Sequence, residues 1–355
     1  MAILQDFLPL NDGYRLGLIT LDNPSSLNAQ NLEMVTQTAE ILRAWADDES
    51  VVAVLMRGSG EKSFCAGGDI RSLYHTYDSQ TFPNPHALEF FGNEYALCQL
   101  IGEYAKPIIV WASGIVMGGG MGLATPASHR IVTETTMMAM PEVGIGLFPD
   151  AGGSYFLQKM PEKVGLFLGL TGARFNATDA LALGVADYAL GSGDYAKLLE
   201  QLQSATWQQD SEQNHHLLDD LLSKLHNVEQ LGEGWALANL TQIKQFVQAS
   251  TLSEFDQMAH DWQPSQNAYI DGAIANYLAG SPTSAALTWQ IFHGKPLDLA
   301  QALAMEKIVA VRCCHYGEFA EGVRALLIDK DKSPKWRYCL QDLPQSHIDE
   351  HFVGW

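Results

Sequence analysis

An α/β core with a helical C-terminal half is the fold class this sequence predicts, on three observations. Two runs, VVAVLM at 51–56 and PIIVWA at 107–112, are apolar at every position, as strands of a parallel sheet covered on both faces are. Before the first, over 35–45, apolar residues recur at helical spacing. Near residue 192 the character changes, and the next eighty positions are polar and helix-forming.

Taken in order, LGLITL (16–21) predicts a first strand, closed by Asp22-Asn23-Pro24. Val35, Thr38, Ala39, Ile41, Leu42 and Trp45 predict an amphipathic helix over 31–46. With the strand at 51–56 this makes a strand–helix–strand unit, a right-handed crossover onto a parallel sheet. Phe64 to Gly68 is a glycine turn, with Asp69 placed to cap a following helix. Residues 76–86 read as loop and 87–103 as helix. The strand at 107–112 leads into a glycine turn and short helix at 115–126, then a strand from Arg130 to Thr133. Tyr155 to Leu170 reads as one helix, Ala177 starts a shorter one, and a strand falls near 186–190. Ser281 or Thr283 caps a later helix, 299–312 continues helical, and the tail holds a helix around 317–328 before a polar turn at 329–336. The expected organisation is a core over 1–195, a helical insertion-like region over 196–278 and a C-terminal helical region over 279–355 that completes the active-site side.

The totals exclude several functions. A formal net charge of −20 argues against a generic nucleic-acid surface, though a few local cations can still hold one anionic substrate. Five cysteines, an odd number without a CxxC pair, read as reduced thiols. The start, MAILQDFLPLND, shows neither a signal-peptide nor an arginine-rich transit pattern, and no charge-free run reaches the length of a membrane span. A soluble cytoplasmic protein is therefore expected, without nucleic-acid or membrane partners. The histidines form no ligand spacing, so no metal site is expected. GxGxxG, the phosphate loop and the GxSxG elbow are absent, which disfavours nucleotide cofactors and serine hydrolysis. Cys65 has no evident histidine partner.

Two glycine loops remain, AGGD at 66–69 and MGGGMG at 117–122, each after a strand. Glycine lets main-chain N–H groups approach a ligand closely. Two such donors from separate strand ends, aimed at one point, form an oxyanion hole. The plainer alternative is close packing of a helix on the sheet. Two acids follow, Glu142 after Pro141 and Asp150 after Pro149, where the prolines and the glycines between them exclude a helical pair. Val143, Ile145, Leu147 and Phe148 surround them with apolar bulk. Desolvation there raises a carboxyl pKa towards neutrality, as a base or acid needs. The alternative is that either acid is solvated or caps a helix, Asp150 before AGGSYF especially.

LDNPSSLNA (21–29), SFCAGGDI (63–70), KPIIVWASGIVMGGGMGLA (106–124) and GSPTSAALT (280–288) resemble the enoyl-CoA hydratase/isomerase (crotonase) superfamily. AMPEVGIGLFPDAGGSYFL (139–157) and EGVRALLIDKDKSPKW (321–336) are similar, more narrowly, to its 3-hydroxyisobutyryl-CoA hydrolase branch. The resemblance implies a spiral core of stacked ββα turns rather than a Rossmann sheet. It places the oxyanion donors on the N–H groups of Gly68 and Gly119. Of the two hydratase glutamates, one matches Glu142 and the other falls on Gly122, which puts simple hydration in question. The branch's own acid matches Asp150. The implied reaction is hydrolysis of (S)-3-hydroxyisobutyryl-CoA in valine breakdown, with 3-hydroxypropionyl-CoA as a second substrate. Glu142 would attack directly or activate a water, and Asp150 would bind the substrate hydroxyl. CoA contacts are expected at Ala66, Arg71 and Lys62, with Lys106 and Lys295 as further candidates. CoA is part of the substrate, so no separate cofactor is implied. Because the superfamily commonly forms trimers or trimer pairs, a homo-oligomer is expected. The competing readings are another acyl-CoA hydratase or isomerase activity and a non-catalytic CoA-binding protein.

Overall fold

Strands form readily where apolar, β-branched residues run without a break, and of the ten strands among the described residues the central β3 and β5 follow that rule most closely. The computed structural model describes residues 2–78, 80–264 and 267–355. The strands are β1 (Ala2–Pro9), β2 (Arg15–Asp22), β3 (Val51–Gly58), β4 (Ser63–Cys65), β5 (Ile108–Ala112), β6 (Ile115–Met117), β7 (His129–Val132), β8 (Met137–Ala139), β9 (Phe175–Asn176) and β10 (Tyr188–Ala189). The chain divides into two compact units. The first comprises Met1–Gly68, Leu97–Met138 and Phe175–Gly234; the second comprises Asp69–Ala96, Ala139–Arg174 and Trp235–Trp355.

The first unit is the sheet unit. Six strands pair in the order β1-β2-β3-β5-β7-β10. β1 runs antiparallel to β2, and the remaining pairings are parallel. β2 to β3 thus gives the expected strand–helix–strand unit around the helix Leu32–Asp47, which Asn31 caps by accepting from the Met34 N–H at 2.8 Å. A shorter sheet runs β4-β6-β8-β9. The helices Tyr195–Ser204 and Ser211–Leu225 belong to this unit, not to a separate insertion. Their Leu198, Leu202, Leu218 and Leu222, with Trp207 between them, share one buried cluster with Leu16, Leu55, Ile109 and Ile131 of the strands. The first unit therefore continues past 195 to Gly234, while 69–96 and 139–174, expected in the core, fall in the second unit.

The second unit is mainly helical. Its parts include Ile70–His75, Val164–Thr171, Ala268–Ala279, Pro282–His293, Leu299–Tyr316 and Glu318–Val323. Asp69 caps the first, accepting from the Ser72 N–H and hydroxyl at 3.3 and 2.7 Å. Of the two candidates, Ser281 caps Pro282–His293. The helix expected over 155–170 is broken. Pro161 forces Met160 into an extended conformation (ψ 136°), and Glu162 and Lys163 turn left-handed before Val164 resumes the helix. The tail helix gives way after Val323 to a wider π-turn at Arg324–Ile328.

Candidate functional site

Parallel pairing decides where the first set of groups sits. β4 lies beside β6 with Ser63 opposite Ile115 and Cys65 opposite Val116, so AGGD and MGGGMG leave neighbouring strand ends in the same direction. The loops abut. A Cβ on Gly67 would stand 3.2 Å from the Met117 carbonyl oxygen and 3.6 Å from the Gly119 nitrogen, and one on Gly120 would meet the Cys65 carbonyl oxygen at 2.1 Å. Gly67 (φ +109°) and Gly118 (φ 52°, ψ −123°) take conformations closed to other residues. Gly119 opens the helix Gly119–Ala124, so its N–H has no intrahelical acceptor. Gly68 bridges Gln30, but the bond there runs from the Gln30 N–H to the Gly67 carbonyl at 2.8 Å. In that pattern the N–H of Gly68 itself points to the other edge. Gly120 therefore answers to the close-packing reading, while the N–H groups of Gly68 and Gly119 stay outside these backbone pairings.

The second unit gathers carboxyls. Glu142 heads the 3-10 turn Glu142–Ile145 and is buried, with Oε2 lacking a hydrogen-bond partner among the described residues. Asp150 is equally buried and accepts from the Tyr95 hydroxyl at 2.5 Å. It does not cap the helix Gly153–Phe156, whose N-cap is Gly152. Both acids are thus desolvated as expected. Burial first, and the charge of Asp150 second, push Glu142 well above the usual carboxylate range. Burial raises Asp150 to about 6 against the opposing Tyr95 hydrogen bond. Such a set cannot hold all its charges at neutral pH, and it titrates as a group.

Sequence reading missed two further members. Glu94, on the helix Pro85–Gly102, is buried with Oε1 unpartnered, and burial followed by the field of Asp150 raises its pKa strongly. Glu306, on Leu299–Tyr316, accepts from the Gly152 and Ser154 N–H groups at 2.7 and 3.0 Å and from the Ser154 hydroxyl. Burial lifts it to about 7, partly offset by the Ser154 bond. A signal existed for both: each acid stands on the apolar stripe of its helix, Glu94 three and four residues from Phe91, Phe90, Leu97 and Cys98, Glu306 likewise from Leu303, Ala302, Val309 and Ala310.

The expected CoA contacts vary. Lys62 and Arg71 are exposed, Ala66 is half-buried with its N–H given to the Leu27 carbonyl at 3.0 Å, and Lys295 is exposed. Lys106 is committed elsewhere. Its ammonium donates to the carbonyls of Trp45 and Asp48 at 2.5 and 2.8 Å, closing the end of the helix Leu32–Asp47. Cys65 is buried, and its thiol lies 3.6 Å from the Gly67 carbonyl.

The profile of the enoyl-CoA hydratase/isomerase family matches residues 16–352. The chain belongs to this family. Among curated members, the mitochondrial 3-hydroxyisobutyryl-CoA hydrolase of Danio rerio is 37% identical over 350 residues, spanning 95% of this chain and 87% of the relative. That of Gallus gallus is 35% identical over 342 residues, spanning 95% and 86%. A solved family structure, an enoyl-CoA hydratase from Rhodobacter sphaeroides, superposes with a TM-score of 0.83 at 30% identity, covering 98% of this chain and 97% of its own. The fold is thus the family's crotonase type with a C-terminal helical region, as the motifs implied. The expectation of a cytoplasmic protein is overturned, because these hydrolase relatives are mitochondrial enzymes. Missing leader patterns do not report a compartment.

Proposed function

We infer that this chain is a 3-hydroxyisobutyryl-CoA hydrolase of valine breakdown, cleaving the (S)-thioester to 3-hydroxyisobutyrate and CoA. Full-length similarity to hydrolases of that specificity supports the reaction. The observation that carries the chemistry is the bare Oε2 of buried Glu142 in the field of Asp150. An oxygen that no donor occupies is free to form a bond or take a proton whenever the carboxyl is ionised, and burial makes that carboxylate a stronger base. In our reading the N–H groups of Gly68 and Gly119 hold the thioester oxygen as it gains negative charge. Glu142 either attacks the carbonyl, giving a mixed anhydride that water then opens, or deprotonates the attacking water. In the first route CoA leaves as the thiolate and takes a proton from water, and in the second the proton that Glu142 took from water passes to the departing sulfur. Tyr95 occupies one oxygen of Asp150, and the other accepts from the substrate's 3-hydroxyl. That contact also suits 3-hydroxypropionyl-CoA and discriminates against acyl groups without the hydroxyl. An acyl-CoA is the ligand class; self-association into a homo-oligomer is a proposal that sedimentation tests.

The solved hydratase keeps a second reading in view, addition of water to an enoyl-CoA. Against it, Gly122 stands where the hydratases carry their second glutamate. Thiol release from (S)-3-hydroxyisobutyryl-CoA decides the matter, with enoyl absorbance followed in parallel. Release is expected, and Glu142→Gln should slow it about 10²- to 10⁴-fold, the usual range for a general acid or base. Loss of enoyl absorbance without thiol release would replace the hydrolase by a hydratase.

A further inference from the structure

The turn that carries Asp150 is built against local backbone preference. Ala151 (φ +51°) and Gly152 (φ +87°) are successive left-handed residues, and Ala151 is a buried alanine with no hydrogen-bonding side chain to favour that conformation. The helix that follows supplies no side-chain cap, since its N-cap is Gly152. The donors left over by the helix are met from a remote part of the second unit. Glu306 Oε2 accepts from the Gly152 N–H at 2.7 Å, and Oε1 accepts from the Ser154 N–H at 3.0 Å as well as from the Ser154 hydroxyl. The same helix touches the turn again at its start, where a Cβ on Gly152 would lie 3.3 Å from Leu299 Cδ1. Around Glu306 stand Ala302, Leu303, Val309 and Ala310, all buried and none able to serve as an acceptor.

We propose that Glu306 is a positioning residue for hydrolysis: by gripping Gly152 and Ser154 it fixes the direction in which Asp150 presents its carboxyl to the substrate hydroxyl. This rests on the reading that Asp150 meets that hydroxyl. Glu306 itself reaches no substrate, because three protein donors occupy its two oxygens in a buried site. The turn carries its geometric contribution, and a misplacement of about 1 Å at a reacting group costs on the order of a hundredfold in rate.

The test is a double-mutant cycle on thiol release from 3-hydroxyisobutyryl-CoA, using wild type, Glu306→Gln, Asp150→Asn and the double variant. Gln keeps one acceptor oxygen but turns an NH₂ group on one of the two amides. Glu306→Gln should lower kcat on the order of a hundredfold in the wild-type background. Where Asp150 is already Asn, it should cost less than about threefold, because the group it positions is gone. Equal losses in both backgrounds would show a general structural role and overturn the inference. So would an unchanged kcat in Glu306→Gln beside an impaired Asp150→Asn. A wild-type rate in Asp150→Asn would instead remove the role of Asp150 itself. Should Glu306→Gln fail to fold, Ser154→Ala removes the hydroxyl bond alone and is judged by the same background dependence.

Discussion

The amide loops of the first unit and the carboxyl cluster of the second solve opposite problems. The loops use main-chain N–H groups, which carry no net charge and need no burial of ions. Their cost is steric, since the space beside Gly120 ends at the Cys65 carbonyl oxygen, 2.1 Å from where a Cβ would sit. The cluster uses side chains from separate segments, Glu94, Glu142, Asp150 and Glu306, all buried. Burial raises the pKa of every one. It tolerates isosteres and opposes folding whenever its members ionise. A site made of backbone is thus brittle to size, and a site made of buried acids is costly in charge.

The largest effect should come from breaking the first half. In Gly120→Ala the new methyl meets a carbonyl oxygen in buried backbone, so two parallel strand ends must separate. Overpacking of this kind costs about 3 kcal/mol or more when the neighbour is main chain. The urea midpoint should fall, and thiol release should collapse with it. A variant with wild-type midpoint and rate would mean that the loops do not need their close approach.

A smaller effect of opposite sign is expected from the second half. The Asp150 carboxyl binds its proton more tightly in the folded chain, at about 6 against an ordinary value of 3.8. Its contribution to stability is therefore intact below about pH 4 and lost as pH rises towards 6, amounting to about 3 kcal/mol. Asp150→Asn removes that slope while keeping an acceptor for the Tyr95 hydroxyl. Relative to wild type, the variant should gain about 2–3 kcal/mol between pH 4 and pH 7 while losing activity. Denaturation at several pH values measures the difference, and parallel curves for the two proteins would show that the carboxyl is not destabilised by burial.

How much of this was legible in the sequence follows the same division. Glycines beside strands announce a close backbone approach directly, because side chains rarely permit the conformations of Gly67 and Gly118. Glu142 and Asp150 were visible for a related reason, each following a proline in an apolar loop. Glu94 and Glu306 were hidden inside helices, where a single acid on an apolar stripe looks like imperfect patterning until its burial is known. The edge strand β1 escaped as well: AILQDFLP has no residue fully buried, so no continuous apolar run marks it. The helix boundary at Pro161 could have been read from the proline alone. Allocation of the helices at 195–225 to the sheet unit could not, since an amphipathic face does not name its partner.

The smallest expected effect concerns the outer end of the substrate, where neither kind of site operates. Lys62 and Arg71 are exposed cations on a chain of formal net charge −20, so any pull on CoA phosphates must be local. Screening limits it, with a Debye length of about 8 Å at physiological ionic strength. Exposed charge pairs of this sort contribute about 1 kcal/mol or less, so Lys62→Ala and Arg71→Ala should each raise KM by no more than roughly fivefold. Three signatures separate this from damage to the catalytic half. The kcat should stay unchanged, the KM effect should shrink as salt is added, and a thioester of a short thiol without phosphates should show no effect. A fall in kcat on the phosphate-free substrate would move these residues from CoA binding to maintenance of the glycine loop beside them. An unchanged KM for the full CoA ester at low salt would leave both as ordinary solvated charges, and the phosphates would need another partner.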